Sequence, residues 1–182
     1  MNLHESFSKE ELAAHAANFE RFIGMASGGM DQAASFLGSK GFALFIEFEP
    51  KLSSKPVKIP EEGIFVVSHT MKTSNKKETA PKQYNKRVYE CRCGVLLILN
   101  YLNKIMKSEE KPKNFDFANF LKNEKKEKIH LWYVKHTFNL SFDKLKEIVK
   151  AALHENVYKL EEVAKEIGLS VPQLKQVFIF IF

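Results

Sequence analysis

Before its last six residues, strand-forming character is confined to one stretch of this chain, residues 42 to 68, and that confinement limits its fold more than any other feature. Phe42-Ala43-Leu44-Phe45-Ile46-Glu47-Phe48 is rich in strand formers and is followed by Pro50; Pro56 to Ile59 and Ile64 to Ser68 are two further extended runs, separated by Pro60-Glu61-Glu62-Gly63. A small antiparallel meander is the economical reading. Upstream, Ser8-Lys9-Glu10-Glu11 has the form of a capping box and predicts a helix from Lys9 to about Ile23, with Leu12, Ala16, Phe19 and Ile23 as its apolar stripe. A short helix over Met30 to Leu37 follows the Ser27-Gly28-Gly29 turn and ends near Gly38. Thr73 to Lys82 is polar and ends beside a proline, as a loop or irregular helix start would.

Downstream the pattern is helical. Asn85 to Lys104 carries a broad apolar face of Val88, Cys91, Val95, Leu96, Leu99 and Leu102, and its second half is apolar enough to be deeply packed. Lys107 to Lys113 is a charged linker. Ser141-Phe142-Asp143-Lys144 opens a helix to about Leu153, Leu160 to Ile167 forms another closed by Gly168, and Ser170 caps a last one with Pro172 in its first turn. Val177 to Phe182 ends the chain as an uncharged hexapeptide of high strand propensity, suited to lie against a partner or a further part of the domain. No internal repeat of solenoid period is present. The expected fold class is α+β.

Of the 182 residues, 45% are apolar and 27% charged, the balance of a folded, water-soluble protein. No run approaches the roughly 18 to 20 apolar residues of a membrane span, and Met1 to Glu5 lacks a basic region followed by an apolar one, so the expectation is a cytoplasmic chain without a membrane partner. Cys91 and Cys93, two apart on a helix, point to different sides and read as reduced structural thiols. The formal charge of +6 owes much to Lys122 to Lys128, where glutamates are interleaved as on a solvated face, and no nucleic-acid partner is expected.

Three stretches resemble the galactokinase and N-acetylgalactosamine kinase branch of the GHMP small-molecule kinases. Ser27-Gly28-Gly29-Met30-Asp31-Gln32-Ala33-Ala34-Ser35, preceded by Glu20-Arg21-Phe22-Ile23-Gly24, looks like that family's Gly-Gly-Met-Asp-Gln segment. Ser74-Asn75-Lys76-Lys77-Glu78-Thr79-Ala80-Pro81 with Tyr84-Asn85-Lys86-Arg87-Val88 is similar to the stretch joining sheet to helix in fungal galactokinases. Tyr89-Glu90-Cys91-Arg92, Ala152 to Tyr158 and Ile167-Gly168-Leu169-Ser170 look more like the N-acetylgalactosamine kinases of animals. The resemblance runs in order from about residue 6 to 177 and implies part of a two-lobed fold. Residues 1–107 would end the N-terminal catalytic lobe, and 108–182 would form the helical part of the C-terminal lobe.

The resemblance implies an enzyme that moves the terminal phosphoryl group of ATP to the anomeric hydroxyl of galactose or N-acetylgalactosamine, with Mg²⁺. Asp31 matches the catalytic and sugar-contacting aspartate; from the residues alone, it fits a helix-capping Asp equally well. Lys76 aligns with a basic residue near that aspartate, where a cation would favour the carboxylate; the plainer reading is a surface lysine. Tyr84 corresponds to a sugar-binding tyrosine and favours galactose, or else is an aromatic at a helix start packing on the sheet. Gly28 and Gly29 would shape the loop that carries Asp31. His69 departs from the family pattern and receives no role, and no metal-binding residue is assigned.

The family's N-terminal sugar signature, its phosphate loop of the Pro-x-x-x-Gly-Leu-Ser-Ser-Ser type and its C-terminal glycine-rich motif have no counterpart among these residues. The expectation is therefore a central segment of a kinase that is monomeric at full length, with the ATP and Mg²⁺ segments absent and no turnover by this chain alone. Two other readings stand beside it: a non-catalytic, galactokinase-like sugar sensor that binds a regulatory protein, and a helical interaction module over residues 110–182.

Overall fold

The computed structural model describes residues 7–22, 24–73, 76–79, 83–107, 109–113, 115–122 and 129–178, without the side chains of Arg21, Lys76 and Lys77. It is α+β, as the patterning predicts, and its contacts divide it into two compact units, Met1–Tyr84 and Asn85–Phe182. That boundary lies upstream of the division after Lys107 expected from sequence, because the long helix that starts at Asn85 buries its apolar surface among the helices that follow it.

In the first unit, α1 (Lys9–Phe22) and α2 (Met30–Leu37) pack on each other, and α2 also packs on strand β1 (Phe42–Glu47). The capping box is reciprocal: the Ser8 N–H donates to Glu11 Oε2 at 2.8 Å, and the Glu11 N–H donates to Ser8 Oγ at 3.1 Å. The backbone hydrogen bond from Ser8 holds the Glu11 carboxyl below its ordinary value. The buried stripe of α1 is not the expected one. Ala13 is buried, whereas Leu12 and Phe19 are exposed, Ala16 is half-buried and Ile23 lies outside the described residues. Small side chains let two helix backbones approach most closely, so Ala13, Ala17, Gly29 and Ala33 form the seam, and the larger Leu12, Phe19 and Phe22 of α1 stay exposed.

The meander is also corrected. β1 pairs antiparallel with β2 (Ser53–Lys58), Phe42 opposite Lys58 and Glu47 opposite Ser53, and no third strand joins them among the described residues. Ile64, Phe65, Val66 and Val67 are 73–95% exposed. The reason lies in the ladder. The Ile59 N–H donates to Gly41 O at 3.0 Å, so Gly41–Ile59 is a hydrogen-bonded pair, and by alternation Leu44–Pro56 is a non-hydrogen-bonded one. The nitrogen of Pro56 therefore faces the outer edge of β2, where a meander's third strand would need an N–H to pair with.

In the second unit, α4 (Asn85–Ile105) follows the single turn α3 (Lys76–Thr79) in sequence and is the central element of the core. Residues Val95 to Asn100 are all buried, as the apolar second half of the helix predicts. Earlier in the helix the buried cysteine is Cys93, and Cys91, expected on the apolar face, is exposed. Around α4 lie α5 (Phe117–Lys122), α6 (Leu131–Thr137), α7 (Phe142–Ala152), α8 (Leu160–Glu166) and α9 (Val171–Gln176). The caps foreseen from sequence form: Ser141 Oγ accepts from the Lys144 N–H at 3.2 Å, and Ser170 and Gln173 make a capping box at the start of α9. Buried Asn100 donates from Nδ2 to the Glu166 carbonyl at 2.9 Å, satisfying one polar group inside the core.

The C-terminal hexapeptide begins inside this core. Val177 and Phe178 are buried, and the Phe178 ring meets Tyr89 edge-on with centroids 4.7 Å apart. These two residues pack on helices of this chain, where the expectation was a partner or a further part of the domain; residues 179–182 lie outside the described residues, as do 1–6 and most of the Lys122 to Lys128 run. Burial, reinforced by Glu90 and opposed by a Tyr89 hydrogen bond, pushes the Cys93 thiol up to about 11. In the folded chain an alkylating reagent is therefore expected to label Cys91 and spare Cys93, with both reacting after denaturation; peptide mass mapping reads the result.

Candidate functional site

The turn into α2 is built from local rules. Ser27 Oγ accepts the Gly29 N–H at 3.3 Å, and Gly29 O accepts the Ala33 N–H at 2.9 Å to begin the helix. Gly29 sits at φ +84°, in the left-handed region that glycine adopts without steric cost. A Cβ placed on it would stand 2.9 Å from Ala17 Cβ and 3.6 Å from a ring carbon of Phe48. Gly28 differs. Its φ lies outside the left-handed region and a Cβ there would meet nothing within 4 Å.

Asp31 follows in the first turn of α2. It is exposed, and no hydrogen bond or ion pair reaches its carboxylate among the described residues. It does not cap α2, whose N-cap is Gly29 with no side-chain cap. Gln32, quoted in the motif but given no role from sequence, is half-buried, and its Oε1 has no partner among the described residues. No sequence rule marks that atom, because its burial comes from packing.

The other candidates are placed less fully. Lys76 begins α3, and its side chain lies outside the described residues, as do Ser74, Asn75, Pro81 and Lys82. Tyr84, the residue before α4, is 43% exposed and shares no hydrogen bond or ring contact with Asp31 among the described residues. His69 is exposed and closes a local turn, its Nδ1 accepting the Met71 N–H at 2.8 Å. A dent lined by Lys58, Ile59, Pro60, Glu61 and Glu62 is the hollow of a single turn and gathers none of the candidate residues. No group of three or more His, Cys, Asp or Glu side chains that could hold a metal ion occurs among the described residues.

Substituting Gly29 by Ala is expected to cost about 1–2 kcal/mol for the left-handed backbone alone, with the crowding against Ala17 adding to it. Gly28→Ala should be near neutral. Thermal unfolding of the two variants side by side checks the contrast, and equal effects would contradict the described turn.

No family model matches the chain. Curated relatives do. The galactokinase of Schizosaccharomyces pombe is 30% identical over 193 residues, covering 96% of this chain and 36% of that protein. The galactokinase of Dictyostelium discoideum is 33% identical over 172 residues, 94% of this chain and 30% of the relative. The galactokinase of Saccharomyces cerevisiae is 45% identical over 87 residues, 46% of this chain and 16% of the relative. These relatives place the chain among carbohydrate kinases. It belongs with the galactokinases and spans only part of their length.

Proposed function

We propose that this chain is the segment of a GHMP-type galactokinase that presents the acceptor-side carboxylate, Asp31, to the sugar. The supporting observation is an exposed carboxylate with no hydrogen bond or ion pair among the described residues, set on a helix start by a left-handed glycine, within a match that leaves only the chain's extremities outside. The reaction is transfer of the terminal phosphoryl group of ATP to the anomeric hydroxyl of galactose, with N-acetylgalactosamine as the competing acceptor. Asp31 accepts the hydroxyl proton as the sugar oxygen bonds to phosphorus and ADP departs. Tyr84 binds the sugar through ring and hydroxyl, Lys76 brings a positive charge to the acceptor side, and Gly28 and Gly29 shape the turn.

Phosphoryl transfer gains most of its rate from alignment and charge neutralisation. Asp31 contributes one aligned acceptor for the proton; in this proposal ATP and the Mg²⁺ that accompanies it are held by parts of the longer protein. The proposed setting is the cytoplasm, and the proposed full-length state is a monomer. No described helix is long and apolar enough to cross a membrane.

The test is a chimera in which this chain replaces the matching stretch of the S. pombe galactokinase, assayed for sugar 1-phosphate with galactose, N-acetylgalactosamine and glucose. Product with galactose is the expected result. A folded chimera that binds ATP and phosphorylates none of the three would overturn the proposal.

A further inference from the structure

Gly29 is buried although Gly28 before it and Met30 after it are exposed. Two side chains cover it. From the position a Cβ would take there, Ala17 Cβ lies 2.9 Å away and a ring carbon of Phe48 3.6 Å away, and beyond the adjoining residues nothing else among those described comes within 4 Å. Ala17 belongs to α1 and Phe48 follows β1, so the turn is seated where a helix and the end of a strand meet it. The hydrogen bonds described at Gly29 are local: its N–H donates to Ser27 Oγ, and its carbonyl accepts from the Ala33 N–H. They shape the turn and start α2, but neither ties the turn to α1 or to the hairpin. That tie is packing, and one methyl group and one ring supply it. A glycine resists displacement of its own backbone less than any other residue, so its position depends on those neighbours.

We propose that Phe48 is a positioning residue for Asp31. Its ring seats the Gly29 turn, and the turn sets the direction in which the first turn of α2 presents the carboxylate two residues on. The inference rests on the kinase reading of Asp31 and deepens it by naming what aims that group. Alignment is where a remote side chain acts most strongly on rate: a misplacement of about 1 Å can cost about 10²-fold. Phe48 is 41% exposed, so truncating it does not hollow a core, and a loss of activity would not reduce to a loss of fold. Phe48 reads from sequence only as the end of a strand-forming run, because its contact with Gly29 is made by tertiary packing.

Two measurements test it. In the full 182-residue chain, nuclear Overhauser contacts should join the Phe48 ring to the Gly29 α-protons, and Phe48→Ala should speed exchange of the Ala33 amide, which bonds to Gly29 O, by about tenfold. In the chimera with the S. pombe galactokinase, Phe48→Ala should lower kcat by about 10 to 10²-fold with the KM for ATP unchanged, whereas Phe48→Tyr, which keeps the ring, should retain most of the rate. The deciding comparison is made in an Asp31→Asn background. There Phe48→Ala should change the residual rate little, because the group it aims has already lost its charge. If Phe48→Ala does not fold, Phe48→Leu carried through the same cycle takes its place. No contact between the ring and Gly29, an undiminished kcat, or a loss that simply adds to that of Asp31→Asn would each overturn the inference and leave the kinase reading standing. A parent chimera that folds, binds ATP and makes no sugar 1-phosphate would remove the kinase reading and this inference with it.

Discussion

In a galactokinase-length chain carrying this segment, Asp31→Asn should lower sugar phosphorylation by about 10² to 10⁴-fold, the range a positioned general base supplies, while changing stability little. Asn keeps the shape of the side chain and loses only the charge and the proton-accepting capacity. Asp31 is exposed, is not the N-cap and has no described hydrogen bond or ion pair to lose, so the fold forfeits only its interaction with the helix dipole, about 0.3–1 kcal/mol. Initial-rate assays and thermal unfolding on the same preparation separate the two effects. A variant with full activity would remove Asp31 from the chemistry; one that unfolded would make it structural.

Phe178→Ala should destabilise the helical unit by about 3–5 kcal/mol. The side chain is 1% exposed and stands edge-on to Tyr89 across the core, so truncation removes a large buried surface and leaves a cavity beside α4. The Tyr89 hydroxyl, whose own pKa burial raises, would be opened towards water. Urea unfolding followed by circular dichroism measures the loss. An unchanged midpoint would mean that Phe178 is not a core residue.

What could be read from the sequence was whatever depends on neighbours in sequence. Ser8, Ser141 and Ser170 are caps because a serine and the amide two or three residues on meet in any helix start. The Gly29 turn and the position of Asp31 at the head of α2 were legible for the same reason. The apolar stripe of α1 was misread because hydrophobicity favours Leu12 and Phe19, whereas close helix contact favours the alanines. Likewise Ile64 to Val67 has the composition of a strand, but the proline on the neighbouring strand decides whether it can pair. Val177 and Phe178 looked like strand residues and are buried in a helical core. Of the candidate site, the turn and Asp31 follow from local rules, while the relation of Asp31 to Tyr84 and Lys76 depends on long-range packing that periodicity does not encode.

Pro56 has one more consequence. Fibril growth by stacked strands requires every incoming segment to offer two pairing sides, one to attach and one to extend. A hairpin sealed along β2 has only one, so copies that met through β1 would stop at a pair instead of elongating. The same imino acid that keeps Ile64 to Val67 from pairing there thus limits aggregation by a chain rich in uncovered phenylalanine.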